Sequence, residues 1–330
     1  MHIAVLGGGS WGTTLADLLA RKGISVRLWV RNPDQAGRMN AEHVNERYLP
    51  EISLCPDLVV SADITAVMQD VMYILVVVPS QYIRDLLVTH KHLFAPHPVV
   101  ICASKGVENE TLKPMSRVVH ESLEEKSPRY AILSGPSFAQ EVCRQLPTAV
   151  SLGCEDRKLA HRIRDIFSTD SFRVYTTPDF KGVELGGAVK NIMAIGAGIA
   201  DGLGFGHDAR AALITRGLAE MSRLGQAMGA QERTFMGLSG MGDLVLTCTG
   251  DLSRNRQVGL KLGQGMKLEE ILTHMHMVAE GVRTTRSVYG LGKEYGIELP
   301  ITEQVYKVLY EDKDPRTAVQ ELMGRRLKDE

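Results

Sequence analysis

Apolar residues in the first half of the chain come in short, largely continuous runs at residues 2–6, 25–30, 72–78, 99–103, 130–133 and 149–152. Continuous rather than alternating hydrophobicity predicts strands buried on both faces, as in a parallel sheet. Between them lie segments of helical period, such as residues 11–22, which Gly23 ends, and residues 83–90. That rhythm predicts a doubly wound α/β domain. Beyond about Pro178 the strand runs stop. Ile214, Leu218, Met221, Leu224 and Met228 recur at steps of three and four, which predicts an amphipathic helix over residues 211–229. Residues 258–262, 268–275, 282–295, 303–310 and 316–323 read as helices too. The glycine-rich stretch 196–206 reads as one that joins or interrupts helices. The expected organisation is an α/β domain over residues 1–178 and an all-α domain over residues 179–330, without internal repeats.

Composition narrows the choice of partners. Lys and Arg number 38 against 39 Asp and Glu, so bulk charge favours neither nucleic acid nor an anionic membrane. Five cysteines, Cys55, Cys102, Cys143, Cys154 and Cys248, lack C-x-x-C spacing and read as reduced thiols. The longest apolar run, residues 71–78, is far below the ~20 residues of a membrane helix. The chain opens directly on its first strand, which leaves no room for a signal peptide. A cytoplasmic protein without stable membrane insertion is expected. His90/His92 and His274/His276 sit two apart, on different helix faces, so no metal site is expected. No G-x-S-x-G elbow supports a catalytic serine.

The chemistry begins at Gly7-Gly8-Gly9-Ser10-Trp11-Gly12, a G-x-G-x-x-G between the first strand and the first helix. Gly7 permits the turn, Gly9 lets backbone approach a phosphate, and Gly12 lets helix pack on strand. This predicts a dinucleotide pyrophosphate at the helix N-terminus. At the second strand's end, where readers of NAD carry an acid, stands Arg31-Asn32-Pro33. Arg31 suits a 2′-phosphate, so NADP(H) is expected to be accepted, with NAD(H) also possible. Val78-Pro79-Ser80, Ser104-Lys105-Gly106 and Ser134-Gly135-Pro136-Ser137 end later strands, at the sheet edge where ligands bind. Lys105 brings an ammonium there, and Ser137 leaves room for a ligand.

In the second half, Lys190 lies among small residues (Gly186, Gly187, Ala188, Ala194, Gly196) that a helix can bury. A desolvated lysine near a second ammonium such as Lys105 has a lowered pKa and can move a proton near neutrality. The alternative is a lysine snorkelling to solvent. Asp243, in Gly240-Met241-Gly242-Asp243, can orient that amine. Ser253-Arg254-Asn255 at a helix start suits a phosphate, or is simply an N-capped basic turn.

Taken together, GGGSWGTTLA, HVNERYLP, SKGVE, GPSFAQEV, GAVKNIMAIGAGIADGLGFG, ARAALITRGLAEM, GMGDLVLTCTGDLSRNRQVG and VAEGVRT resemble the bacterial NAD(P)-dependent glycerol-3-phosphate dehydrogenases. The resemblance spans nearly the whole chain. It implies a Rossmann-like domain followed by a helical domain resembling that of 6-phosphogluconate dehydrogenase. It implies reduction of dihydroxyacetone phosphate to sn-glycerol 3-phosphate for phospholipid synthesis, in a cleft between domains, with Lys190 as proton donor and acceptor. By matching position, Ser10, Trp11, Arg31, Tyr48, Lys105, Ala139, Arg254, Val278 and Glu280 are implied on the coenzyme side. Lys105, Gly135, Ser137, Lys190, Asp243, Ser253, Arg254 and Asn255 are implied around the substrate. Asp208 stands where Asn is usual, and Ser239 where Ala is common. A homodimer is a possible assembly. The rival readings are a hydroxy-acid dehydrogenase on the same domain pair and a coenzyme-sensing regulator without chemistry.

Overall fold

The computed structural model describes residues 2–275 and 279–326. The chain divides into two compact units, one of Met1–Lys105 with Pro114–Phe180, the other of Gly106–Lys113 with Lys181–Glu330. A single break at residue 178 does not describe this division, because Gly106–Lys113 goes with the helical unit. The reason is local bonding: Ser287 Oγ donates to Val107 O at 3.0 Å and also bonds the Asn109 side chain. Apolar periodicity carries no trace of so distant a partner.

In the first unit the strands are β1 (His2–Leu6), β2 (Ser25–Trp29), β3 (Val44–Asn45), β4 (Leu49–Ser53), β5 (Val59–Ser61), β6 (Tyr73–Val76), β7 (Val99–Cys102), β8 (Arg129–Ser134), β9 (Thr148–Gly153) and β10 (Phe172–Thr177). The helices are α1 (Ser10–Arg21), α2 (Pro33–Glu42), α3 (Ile64–Met68), α4 (Ile83–Thr89), α5 (Met115–Ser122), α6 (Ala139–Cys143) and α7 (Arg157–Phe167). β3 and β4 form a separate antiparallel pair; the rest make one sheet in the order β10-β9-β8-β7-β6-β1-β2-β5. β6 and β7 are buried along their whole length, which is why they read as unbroken apolar runs.

The sheet is not wholly parallel, contrary to the expectation from the apolar runs. β9 runs antiparallel to β8, with Leu133 opposite Leu152, and β10 follows β9 in parallel. A strand buried on both faces has the same composition whichever way it points, so the pattern carried no direction. β5 and β10 also lacked an unbroken run. β5 has three residues, and β10 alternates buried and exposed positions.

The strand order places the coenzyme motif. β1 lies between β2 and β6, and Leu6 pairs with both Trp29 and Val76. The chain therefore changes direction along the sheet at β1, and Gly7 emerges at the carboxyl edge of that switch point, where ligands bind in such sheets.

In the second unit the helices are α8 (Phe180–Gly202), α9 (Gly206–Ala227), α10 (Glu232–Phe235), α11 (Asp243–Thr249), α12 (Arg254–Gly263), α13 (Leu268–Thr273), α14 (Glu280–Glu294), α15 (Pro300–Tyr310) and α16 (Pro315–Met323). A π-helical turn, Leu238–Gly242, leads into α11. α8 is buried continuously from Gly182 to Ala200, as befits a core helix that is apolar all round. By length and composition it is able to cross a membrane, but its apolar window is entirely buried within the protein.

The stretch 196–206 was expected to join or interrupt helices. Instead α8 runs through Gly196 and Gly198 to Gly202, and only Gly204 and Gly206, with φ of 75° and 80°, make the turn to α9. The glycines inside α8 serve packing. A Cβ on Gly198 would lie 2.0 Å from Arg256 O, and one on Gly259 of α12 would lie 2.0 Å from Ile195 O. The two helices touch backbone to backbone, and this contact fixes where α12 begins.

Candidate active site

The first unit carries the nucleotide half. Gly7 has φ 123°, and a Cβ there would lie 2.6 Å from Val77 O. A Cβ on Gly12 would lie 1.9 Å from Gly7 O. Gly9 is different: its φ of −74° suits any residue, and a Cβ there would meet nothing within 4 Å. The turn is thus closed on the protein side and open above Gly9. No side chain caps the N-terminus of α1, whose first residues are Ser10 and Trp11. A pyrophosphate fits this cradle, with backbone N–H groups and the helix dipole as its partners. Trp11 is half-buried, and its Nε1 is a buried donor with no partner among the described residues.

Arg31 is exposed just past the end of β2. Asn32 caps α2 by accepting from Gln35 N at 3.1 Å, and Pro33 opens that helix, so the corner is held from behind. Tyr48, half-buried between β3 and β4, lies under the Arg47 guanidinium at 5.3 Å. Ala139 opens α6, and its carbonyl accepts from Thr14 Oγ1 of α1 at 3.4 Å.

Three expected substrate residues meet at the carboxyl edge of the same sheet. Lys105 Nζ donates to Gly135 O at 3.4 Å, and Ser137 Oγ donates to the same carbonyl at 3.0 Å. Gly135, with φ 152°, passes so close to β9 that a Cβ would lie 2.8 Å from Val150 Cα.

The second unit holds the lysine. Lys190 is 6% exposed, on the buried helix α8. Its Nζ donates to Asp243 Oδ1 at 2.5 Å and to Thr247 Oγ1 at 2.6 Å. Thr247 in turn donates to Asp243 O at 2.6 Å, one turn back along α11. The lysine therefore does not snorkel; a buried carboxylate and a hydroxyl grip its amine. The approach depends on Gly186, where a Cβ would lie 2.5 Å from Ser239 O in the π-helical turn.

Thr247 went unnoticed in the sequence. Its position four residues after Asp243 was the available signal, since a threonine bonds back to the i−4 carbonyl in a helix.

At the start of α12, Ser253 is buried and caps the helix, accepting from Arg256 N at 3.2 Å. Arg254 is half-buried at the first helical position. Asn255 Nδ2 donates to Asn191 Oδ1 at 2.9 Å, while its Oδ1 accepts from Gly281 N at 2.9 Å. Asn255 thus ties α12 to α8, beside Lys190, and to the first turn of α14, where Glu280 sits half-buried. Behind them Arg256 bonds Asp201 at 2.8 Å, and Arg210 bonds the other Asp201 oxygen at 2.6 Å. Val278 lies outside the described residues.

Among the described residues no group of three or more His, Cys, Asp or Glu converges, and the five cysteines are free thiols. Burial pushes the Cys248 thiol up to about 12, and burial, opposed by a hydrogen bond with Thr14, pushes Cys143 up to about 11. Neither is a nucleophile near neutrality.

Comparison with known proteins adds an independent finding. The family model for the NAD-dependent glycerol-3-phosphate dehydrogenase N-terminus matches residues 2–160, and that for the C-terminus matches residues 179–320. The chain is 64% identical over 330 residues to glycerol-3-phosphate dehydrogenase [NAD(P)+] of Maridesulfovibrio salexigens, covering 100% of both. It is 59% identical, again over 100% of both, to the enzyme of that name from Solidesulfovibrio magneticus. Its structure matches the crystal structure of glycerol-3-phosphate dehydrogenase from Coxiella burnetii with a TM-score of 0.94 and 44% identity, covering 98% of this chain and 99% of that one.

Proposed function

We propose roles for the individual residues from the premise that the chain belongs to the NAD(P)-dependent glycerol-3-phosphate dehydrogenase family. It is an oxidoreductase that interconverts dihydroxyacetone phosphate and glycerol 3-phosphate with NAD(H) or NADP(H). A bound nicotinamide coenzyme supplies or takes the hydride. Gly7, Gly9, Ser10, Trp11 and Gly12 hold its pyrophosphate, and Arg31 receives a 2′-phosphate when one is present. Tyr48, Lys105, Ala139, Arg254, Val278 and Glu280 complete the coenzyme contacts.

Lys190 gives a proton to the ketone oxygen as it becomes a hydroxyl, and takes it back in the reverse direction. The single observation that supports this role is the buried grip on its amine, 2.5 Å to Asp243 and 2.6 Å to Thr247. Two short bonds remove the rotamer freedom of a long side chain, so the proton is presented from a fixed point. Asp243 also balances the charge of a lysine shielded from water. Lys105, Gly135, Ser137, Ser253, Arg254 and Asn255 are the residues that hold the substrate. The first turn of α12, capped by Ser253, and the Arg254 guanidinium suit its phosphate. Asn255 is bonded on both amide atoms, so its part is to set the position of Arg254 and Glu280.

Oxidation of NADPH or NADH followed at 340 nm tests the substrate assignment. Dihydroxyacetone phosphate should be turned over, and unphosphorylated dihydroxyacetone should be at least about 100-fold poorer in kcat/KM, the loss expected for a few charge-assisted bonds. Arg254→Ala should raise KM for the phosphate ester. Equal turnover of the two ketones would overturn the phosphate-binding role. A cytoplasmic location, a homodimer, and the absence of nucleic acid and membrane partners belong to the same proposal. The balanced charge and the burial of α8 support the last of these; light scattering checks the dimer.

A further inference from the structure

Beneath the phosphate turn lies a network of amides that the reading above does not use. Asn45, the second residue of β3, is fully buried. Its Nδ2 donates to Gly8 O at 3.1 Å and to Thr13 Oγ1 at 2.8 Å. Its Oδ1 accepts from Gln35 Nε2 at 3.2 Å, and the same Gln35 nitrogen lies 3.5 Å from Gly8 O. Thr13 is fully buried in the first turn of α1, its own N–H bonded to Gly9 O at 3.0 Å. One side chain therefore grips the carbonyl of the central peptide of the glycine turn and the first turn of the helix behind it.

The geometry of a peptide makes this grip functional. In a planar trans peptide the carbonyl and the N–H point in opposite directions. Drawing the Gly8 carbonyl down onto Asn45 turns the Gly9 N–H the other way, away from Asn45. We propose that Asn45, braced by Gln35 and Thr13, is the positioning residue that aims the Gly9 N–H at the coenzyme's pyrophosphate. This rests on the reading that the glycine turn holds the coenzyme. Glycine turns are free to rotate their peptides, and a flipped Gly8–Gly9 peptide would present a carbonyl oxygen to an anion. Asn45 removes that alternative. Gln35 sits on the α2 turn that Asn32 caps, so the grip also joins the turn to the Arg31 corner.

The test compares four proteins for NADPH affinity by fluorescence titration, for kcat and for both KM values. They are wild type, Asn45→Asp, Gln35→Ala and Gly9→Val. Aspartate keeps the shape of Asn45 but has no donor for the Gly8 carbonyl. It should weaken NADPH binding at least about tenfold, with a matching rise in coenzyme KM, as expected for a buried donor lost next to an anion site. The KM for dihydroxyacetone phosphate and kcat at saturating coenzyme should stay at wild-type values, which a general loss of folding would not permit. Gln35→Ala, at a half-buried position that tolerates truncation, should give the same split in smaller measure, and it decides the matter if Asn45→Asp does not fold. A Cβ on Gly9 meets nothing within 4 Å, so Gly9→Val reports on the turn. If Gly9→Val binds NADPH normally, both the turn reading and this proposal fail. If Gly9→Val loses binding while Asn45→Asp and Gln35→Ala bind as wild type, the turn reading stands and the positioning role is wrong.

Discussion

Three buried acidic or basic side chains each have two partners. Lys190 has Asp243 and Thr247; Asp201 has Arg210 and Arg256; Asp17, 2% exposed, accepts from Cys55 N at 2.6 Å and from Arg21 at 2.8 Å. Glu220 has three partners and behaves differently. It is 2% exposed and accepts from Ile301 N, Thr302 N and Thr302 Oγ1 at the start of α15, yet burial outweighs these bonds and pushes its carboxyl up to about 7. Its folded pKa is raised, so its stabilising contribution is complete below pH 4.5 and is lost as pH rises through 7. At about 1.4 kcal/mol per pH unit, the loss across that window is about 3 kcal/mol. Glu220→Gln cannot ionise, so unfolding free energy measured in urea between pH 4.5 and 7 should fall less steeply for the variant than for wild type. Parallel profiles would contradict the assignment. At this scale the sequence was partly legible. Lys190 and Asp243 stood out because lysine and aspartate among glycines and apolar residues must be paired or functional. Glu220 and Asn45 did not, since a lone polar residue within a helix or hairpin pattern looks solvated until its distant partners are known.

At the scale of elements, close helix contacts help set the geometry around Lys190. Gly198 and Gly202 on α8 face Gly259 and Gly263 on α12; a Cβ on Gly202 would lie 2.3 Å from Leu260 O and one on Gly263 2.4 Å from Ile199 O. The pair brings the start of α12, with Ser253, Arg254 and Asn255, beside Asn191 and hence next to Lys190. Gly259→Leu should push the helices apart, lowering Tm by several degrees, as expected for overpacking of about 1–3 kcal/mol. It should also raise KM for dihydroxyacetone phosphate. Unaltered substrate KM in a folded variant would show that this contact does not set the site. The period-3.6 helices 211–229, 282–295 and 303–310 were legible because each has an exposed and a buried face. α8 was misread because a helix buried all round has no such face, and its glycines look like punctuation when they are contacts. Strand direction at β9 was invisible for the analogous reason in the sheet.

For the whole molecule, the proposed roles divide between two folding units with different grammars. In that proposal the α/β unit binds the hydride carrier at its switch point, with backbone groups as the chief ligands. The helical unit would supply the side chains that hold a phosphate and move a proton. Each half alone was ambiguous: a glycine turn serves many dinucleotide enzymes, and a buried lysine serves many purposes. Their combination over the full length, together with the 64% identity to the Maridesulfovibrio salexigens enzyme, fixes the family. The assignment of Gly106–Lys113 to the helical unit was not legible, because it rests on hydrogen bonds from Ser287 that span 180 residues.

Proton transfer by Lys190 is the claim on which the chemistry turns, and single-turnover rate with saturating NADPH and dihydroxyacetone phosphate measures it most directly. Lys190→Ala should lose at least about 100-fold in that rate, the lower bound for positioned acid–base work, while a parallel titration finds NADPH affinity unchanged. A variant that reduces the ketone at close to the wild-type rate would contradict the account.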